Sequence, residues 1–410
     1  GCTSLTGTIP ATLFANNLLA TDFVSTFYSC TNLGRPIIDG APTETIPPTL
    51  FNTNGTSDTV ITNFSETFYN CTGLTGDIPV ALFAKSPLVT TFYGTFSGCT
   101  GLTGTIPEAL FANNPDVTSF RVTFDRCSGL TGSIPATLFN TNGTSDTIVT
   151  TFFYTFRSCT SLTGTIPPTL FAKSPRVTNF ESTFSACIGL DGPIPLELFA
   201  NNPLVTTFSS TFEGNPWIGP TDIPAGLFAN NTAVTTFGTD TFNKGVFRDC
   251  TNLTAVPDTI FANNPNVTIY GSAFGGTTRL STTSYNALLV NLESVNNNTG
   301  VYINTNSTPS VGPPDGEDAK ATLIADHNWT IIDVPASVDD SNWEYLGMNL
   351  YTQASINTLT SPNEGLGVDD PGKIIVITGG IKEGASLTSV QIAGQTATLE
   401  QQTDEANTAG

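Results

Sequence analysis

The apolar positions recur with a long period, and no single helical or strand rhythm accounts for them. One unit reads Cys99-Thr-Gly-Leu102-Thr-Gly-Thr-Ile106-Pro107, then Leu110-Phe111, then Val117-Thr118 and the pair Phe120 and Phe124. The units before and after open in the same way, at Cys71 to Pro79 and at Cys127 to Pro135. Counting from Cys2, successive cysteines are 28, 41, 28, 28, 32, 28 and 63 residues apart. The odd spacings resolve into insertions. Four extra residues lie within Asn140 to Asp146, and the same insertion follows Phe51. The longest gap holds two units, with Asn215 standing where a Cys is expected. Nine units fit between Cys2 and Leu280, and the last is degenerate, as a terminal repeat is expected to be.

One unit alone has too few apolar residues, too widely dispersed, to build a core. Stacked on its neighbours, each would extend continuous apolar ladders. The pattern therefore predicts a solenoid. Leu-x-x-x-Ile-Pro reads as a short extended segment ended by its proline, and Pro-x-x-Leu-Phe as the start of a single helical turn. Phe120 and Phe124 suit one face of a helix or two inward positions of an extended stretch. The β-branched lead-in at Val117-Thr118 favours a short strand.

The pattern stops near residue 280: all 28 Phe lie between Phe14 and Phe274. Beyond it, Tyr285, Leu288, Leu289 and Leu292 share one face of a predicted helix capped by Ser281 or Thr282. Asn296 to Pro314 reads as a polar loop. A second helix is predicted from Asp315, and a closing strand over Trp329 to Asp333. Lys373 to Thr378 is a strong strand signal, and Ser386 to Leu399 alternates partially, with a break at Gly394-Gln395. The expected domains are a repeat array over 1-279, a cap over 280-333, and a linker with a small β domain over 334-410.

Composition narrows the function. Only 13 Lys and Arg stand against 34 Asp and Glu, for a net charge of -21. No basic stripe exists to follow a phosphate backbone, so nucleic acid is not an expected partner. No run of 18 apolar residues occurs, so no membrane insertion is expected. Thr, Ser, Asn and Gly must supply the polar surface that charge usually provides.

Candidate chemistry is sparse. The only His is His327, which leaves neither a second His for a zinc site nor a base within the array for a thiol. No Gly-x-Ser-x-Gly elbow, Gly-x-Gly-x-x-Gly fingerprint or Walker loop occurs. A glycosidase needs only two carboxylates, but Asp77, Glu108, Asp116 and Asp125 fall at different phases of the repeat. No catalytic residue, metal ligand or cofactor is expected. The eight Cys suit either a ladder of buried free thiols or disulfides between adjacent coils, whose spacing matches a disulfide's reach. Asn215 favours the first, because a hydrogen-bonding residue replaces a free thiol but not half a disulfide. Ten Asn-x-Ser/Thr sequons occur, which are acceptors only in a suitable secretory pathway.

The run Phe96-Ser-Gly-Cys99-Thr-Gly-Leu102-Thr-Gly-Thr-Ile106-Pro107 resembles the BspA-like leucine-rich repeats of bacterial surface proteins. The segments from Leu280 and from His327 to Asp333 resemble the end module that follows such arrays. Ser389 to Thr398 resembles an early strand of an immunoglobulin-like module. The resemblance implies a leucine-rich-repeat solenoid with short strands and an irregular or short helical convex side, then a capping segment and a small β module. It implies a non-enzymatic adhesion or structural protein, extracellular or at the cell surface. Its partner would be a cell-surface protein or glycan, or copies of itself in an assembly. A virion component, such as a tail fibre or capsid decoration protein, suits the same features, and a carbohydrate-active enzyme is the remaining alternative. The expected contact surface is the outward position of each short strand: Thr8, Asp77, Thr105, Ser133, Thr165 and Asp222, with Pro193 at the same phase.

Overall fold

A computed structural model describes residues 1–34, 46–54, 58–143, 145–239, 244–277, 280–304 and 314–332, and four short strands beyond them. The chain divides into two compact units, Gly1–Val338 and Asp339–Gly410.

The first unit is a repeat-type stack of coils. Parallel bridges join Asp22, Asn63, Thr91, Ser119, Thr151, Asn179, Thr207, Thr236 and Ile269 in one unbroken column, one residue per coil. A second set joins the Leu-Thr-Gly segments, pairing Gly7 with Leu33, Gly76 with Leu102, Thr105 with Thr131, and Gly164 with Leu190. The only extended strand among the described array residues is β1, Ile269–Gly271. The strand expected at Val117-Thr118 is thus a single bridge at Ser119.

The stretch from Phe120 to Cys127 is neither helix nor strand. Thr123 N–H returns to the Phe120 carbonyl at 3.2 Å, and Cys127 N–H to the Phe124 carbonyl at 3.0 Å. Val122 and Arg126, third in these turns, have φ of 62° and 58°, as a type II turn requires. The turns leave alternate N–H groups free to point along the stack. Phe120, Val122, Phe124 and Arg126 donate to the carbonyls of Thr151, Phe153, Thr155 and Arg157 in the next coil, at 2.7 to 3.2 Å. Leu110 N–H likewise returns to the Pro107 carbonyl at 3.1 Å, so Pro-x-x-Leu-Phe forms turns where a helical turn was expected.

Phenylalanine fills the interior. Phe92 and Phe120 stack at 5.9 Å between ring centres, and Phe111 tilts against both at 4.6 and 4.8 Å. Phe96 and Phe124 stack at 5.8 Å in a third column, and the arrangement runs from Phe23 to Phe261. Each ring fully buried contributes roughly 1.5–3 kcal/mol. The repeated polar residues hold the carbonyls that the turns leave over. Thr123 is buried, and its hydroxyl donates to the carbonyls of Phe92 and Phe120 at 3.0 and 2.8 Å.

All eight cysteines are free. Cys99, Cys127 and Cys187 each donate to the Phe carbonyl of the preceding coil, at 2.9 Å. Asn215 makes the same bond through Nδ2, to Phe184 at 2.8 Å, so the substitution keeps the donor and changes its carrier. A second buried column uses Ser and Asn, with Ser86, Asn114, Ser174 and Asn202 at one phase, and Asn114 Nδ2 donates to the carbonyls of Phe83 and Ser86.

The C-terminal side of the stack ends in α1 (Thr282–Val295), β2 (Tyr302–Asn304), α2 (Pro314–Ala325) and β3 (Thr330–Ile332). Ser281 caps α1 by accepting from Ser284 N–H, and Tyr285, Leu288, Leu289 and Leu292 are buried as expected. β2 corrects the expected loop over Asn296 to Pro314. It pairs in parallel with β1 and β3, and Val301 and Ile303 enter the core. Pairing to the last coil supplies the extended conformation that the polar flanks conceal.

The second unit shows two antiparallel pairs, Thr358–Leu359 (β4) with Ile374–Ile375 (β5), and Val390–Ile392 (β6) with Gln395–Ala397 (β7). The latter pair flanks the break expected at Gly394-Gln395. The remainder of the expected linker and immunoglobulin-like module lies outside the described residues.

Candidate contact surface

The outward positions of the Leu-Thr-Gly-x-Ile segment are exposed at Thr8, Asp77, Thr105, Ser133, Thr165 and Pro193. The stack brings several of them into one column, because each overhangs a glycine of the next coil. A Cβ on Gly132 would lie 2.8 Å from Thr105 Cγ2, and one on Gly192 equally close to Thr165 Cγ2. Asp77 overhangs Gly104 in the same way. Asp222 departs from this column: it is half-buried, and its Oδ2 accepts the Gly219 N–H at 2.7 Å, closing its own turn.

The carboxylates weighed for hydrolysis have separate tasks. Glu108 accepts the Thr137 hydroxyl at 2.6 Å. Asp125 is buried and held by Arg157. Asp77 and Asp116 are exposed. Among the described residues, no group of three or more His, Cys, Asp or Glu is placed to hold a metal ion. No helix there is long and apolar enough to cross a membrane. Burial pushes the thiols of Cys71, Cys187 and Cys250 up to about 12.

A different face carries the array's larger polar and aromatic groups. It lies on the run of turns from the first of the paired buried Phe in each unit, such as Phe120, to the Cys that follows the second. Tyr28 stacks on Tyr69 at 4.9 Å. Arg121 sits between Tyr93 and Phe153, 5.6 and 4.5 Å from their ring centres. Phe153 stacks on Tyr154 at 3.9 Å, and Arg157 covers the Tyr154 ring at 4.1 Å. Lys244 reaches Glu181 at 2.6 Å and the Tyr154 hydroxyl at 3.3 Å. Sequence reasoning missed this face because these residues occupy the variable positions of the unit. The available signal was their shared phase: Tyr93, Arg121 and Phe153 each directly follow the bridge residue and its Phe.

No family model matches the chain, and no curated protein matches it. Among solved structures, it is weakly similar to leucine-rich-repeat ectodomains. One is the Arabidopsis receptor kinase HAESA in complex with the peptide hormone IDA and the co-receptor SERK1, at 15% identity over 58% of this chain and 49% of that chain, with a TM-score of 0.20. Another is the TLR13–ssRNA13 complex, at 12% identity over 70% of this chain and 51% of that one, with a TM-score of 0.17. The chain thus spans about half the length of each.

Proposed function

We propose that the chain is a leucine-rich-repeat solenoid of the BspA-like kind over residues 1-279, with a cap over 280-333 and a linker and small β domain over 334-410. It acts without catalysis, outside the cell or on its surface, as an adhesive or structural rod. The reading is carried by one observation. Side chains repeated from unit to unit, such as Phe120, Phe124, Thr123 and Cys127, are buried in stacking, and the variable ones are left at the surface. Such a molecule holds its shape without a ligand and differs along its length only in what it presents. Its partner is a cell-surface protein or glycan, or other copies of the chain. The column of Thr8, Asp77, Thr105, Ser133 and Thr165 offers a broad contact with a single carboxylate, Asp77, and no aromatic platform.

Labelled antibody against the array, imaged on intact source cells and particles, tests the location, and adhesion of the purified protein to cells tests the role. Surface label together with adhesion or ordered assembly is the expected result. A protein that stays monomeric, adheres to nothing and is found only inside cells overturns the proposal.

A further inference from the structure

Arg121 differs from the other bases of its strip. Each of those has a carboxylate within reach: Arg126 and Arg157 have Asp125, Lys244 has Glu181, and Arg248 has Glu213. Arg121 is exposed and, among the described residues, has none. Its guanidinium is nevertheless held in place, between Tyr93 of the preceding unit and Phe153 of the following one. A guanidinium flanked by rings keeps its edge donors free, and that planar fork matches a carboxylate in two parallel hydrogen bonds. The support behind it is also fixed, because Phe153 stacks on Tyr154, Tyr154 meets Arg157, and Arg157 is tied to the buried Asp125.

We propose that this strip is a docking site for an acidic polypeptide segment, one of whose side-chain carboxylates pairs edge-on with Arg121. The proposal rests on the adhesive reading above and names the chemistry of its partner. Charge complementarity carries it, because the one uncompensated cation of the strip is also one locked between aromatic rings. The ring geometry favours a polypeptide over an acidic glycan. Sugars commonly stack on aromatic faces, and here one face of each ring is already taken: Tyr28 and Tyr69 stack on each other, as do Phe153 and Tyr154, and Arg121 lies between Tyr93 and Phe153. Tyrosine and arginine side by side are the residues that dominate protein–protein contacts.

Fluorescein-labelled poly-L-glutamate, titrated with the intact protein and followed by anisotropy, tests the site. Binding should weaken about tenfold in Arg121→Gln. It should weaken several-fold in Arg121→Lys, which keeps the charge and loses the fork. Arg176→Gln, which removes an exposed base before Val177, should bind as the unaltered protein does. Thermal melts of the variants should coincide, since Arg121 is exposed. Equal weakening by all three substitutions, or by none, overturns the proposal. So does binding of polygalacturonate with no binding of polyglutamate, which would assign the strip to a glycan. Self-association abolished by Arg121→Gln would place a second copy there instead, again overturning it. Cell adhesion that persists in Arg121→Gln while polyglutamate fails to bind removes this site and leaves the adhesive reading standing. Absence of all adhesion removes that reading itself.

Discussion

Arg157 grips Asp125 through two parallel hydrogen bonds, Nε to Oδ1 at 2.6 Å and Nη2 to Oδ2 at 3.0 Å. The pair joins one coil to the next, and the Asp125 side chain is only 3% exposed. Removing one partner of a buried pair leaves an uncompensated charge, at a cost of about 3–5 kcal/mol. Arg157→Ala should therefore destabilise the array by about 3 kcal/mol, at the low end because Arg157 is partly solvated. The double variant Asp125→Asn with Arg157→Met should recover much of that loss. Urea unfolding of the single and double variants checks both.

The buried thiols make stability depend on pH at the alkaline end. Cys71, Cys187 and Cys250 are raised by burial from 9.0 to about 12. A group whose value is raised in the fold stabilises it fully below the unfolded value. That contribution is lost as pH rises through the folded value. The melting temperature should thus fall progressively between about pH 9 and pH 12, and less steeply in a variant with Cys187→Ala. Below that window, iodoacetamide should label Cys2, which is exposed, and spare the seven buried cysteines until the protein unfolds. Mass spectrometry of the labelled chain reads this directly.

Val122 holds a backbone conformation that β-branched residues avoid, with φ at 62°. One unit earlier, the same turn position is Gly94, at φ 61°. Val122→Gly relieves the strain and adds entropy to the unfolded chain, so its net effect should lie within about 1 kcal/mol of zero, on the stabilising side. Gly94→Val should instead cost about 1–2 kcal/mol. Its new Cβ would also stand 3.3 Å from Glu66 Cγ. Paired thermal melts distinguish the two directions.

Trp329 packs on the last coil. Its ring lies 5.9 Å from Tyr270, and its Nε1 donates to the Asn298 carbonyl at 2.9 Å. Trp329→Ala should cost about 3–5 kcal/mol. The loss should appear first as hydrogen exchange in β2 and β3, before the central coils open. Simultaneous exchange along the whole stack would show that the end does not act as a seal.

The ladders of Leu102, Ile106, Phe120 and Phe124 were legible because a fixed period exposes burial even when no one unit has a core. The Asn215 exchange was legible for the same reason: a single departure at a fixed phase reveals what the position must donate. The turns between Phe120 and Cys127 were not. Their positive φ at Val122 and Arg126 runs against the preference of those residues and is imposed by bonding to the neighbouring coil. β2 was hidden likewise, since a three-residue strand between polar flanks exists only where a partner strand waits. The strip at Arg121 escaped notice because proximity across units arises from residues about 30 apart, at positions where the pattern carries no consensus.

The four forward bonds from Phe120, Val122, Phe124 and Arg126 give every coil a front and a back. On this segment the front presents amide hydrogens and the back presents carbonyls. Any whole unit that enters or leaves the array restores the same junction, donor against acceptor, without a compensating change elsewhere. A fraction of a unit does not. Recombination can therefore lengthen or shorten the array in integral steps. The matching runs at Asn52-Thr53-Asn54 and Asn140-Thr141-Asn142, three units apart, read as the trace of a block copied in that way.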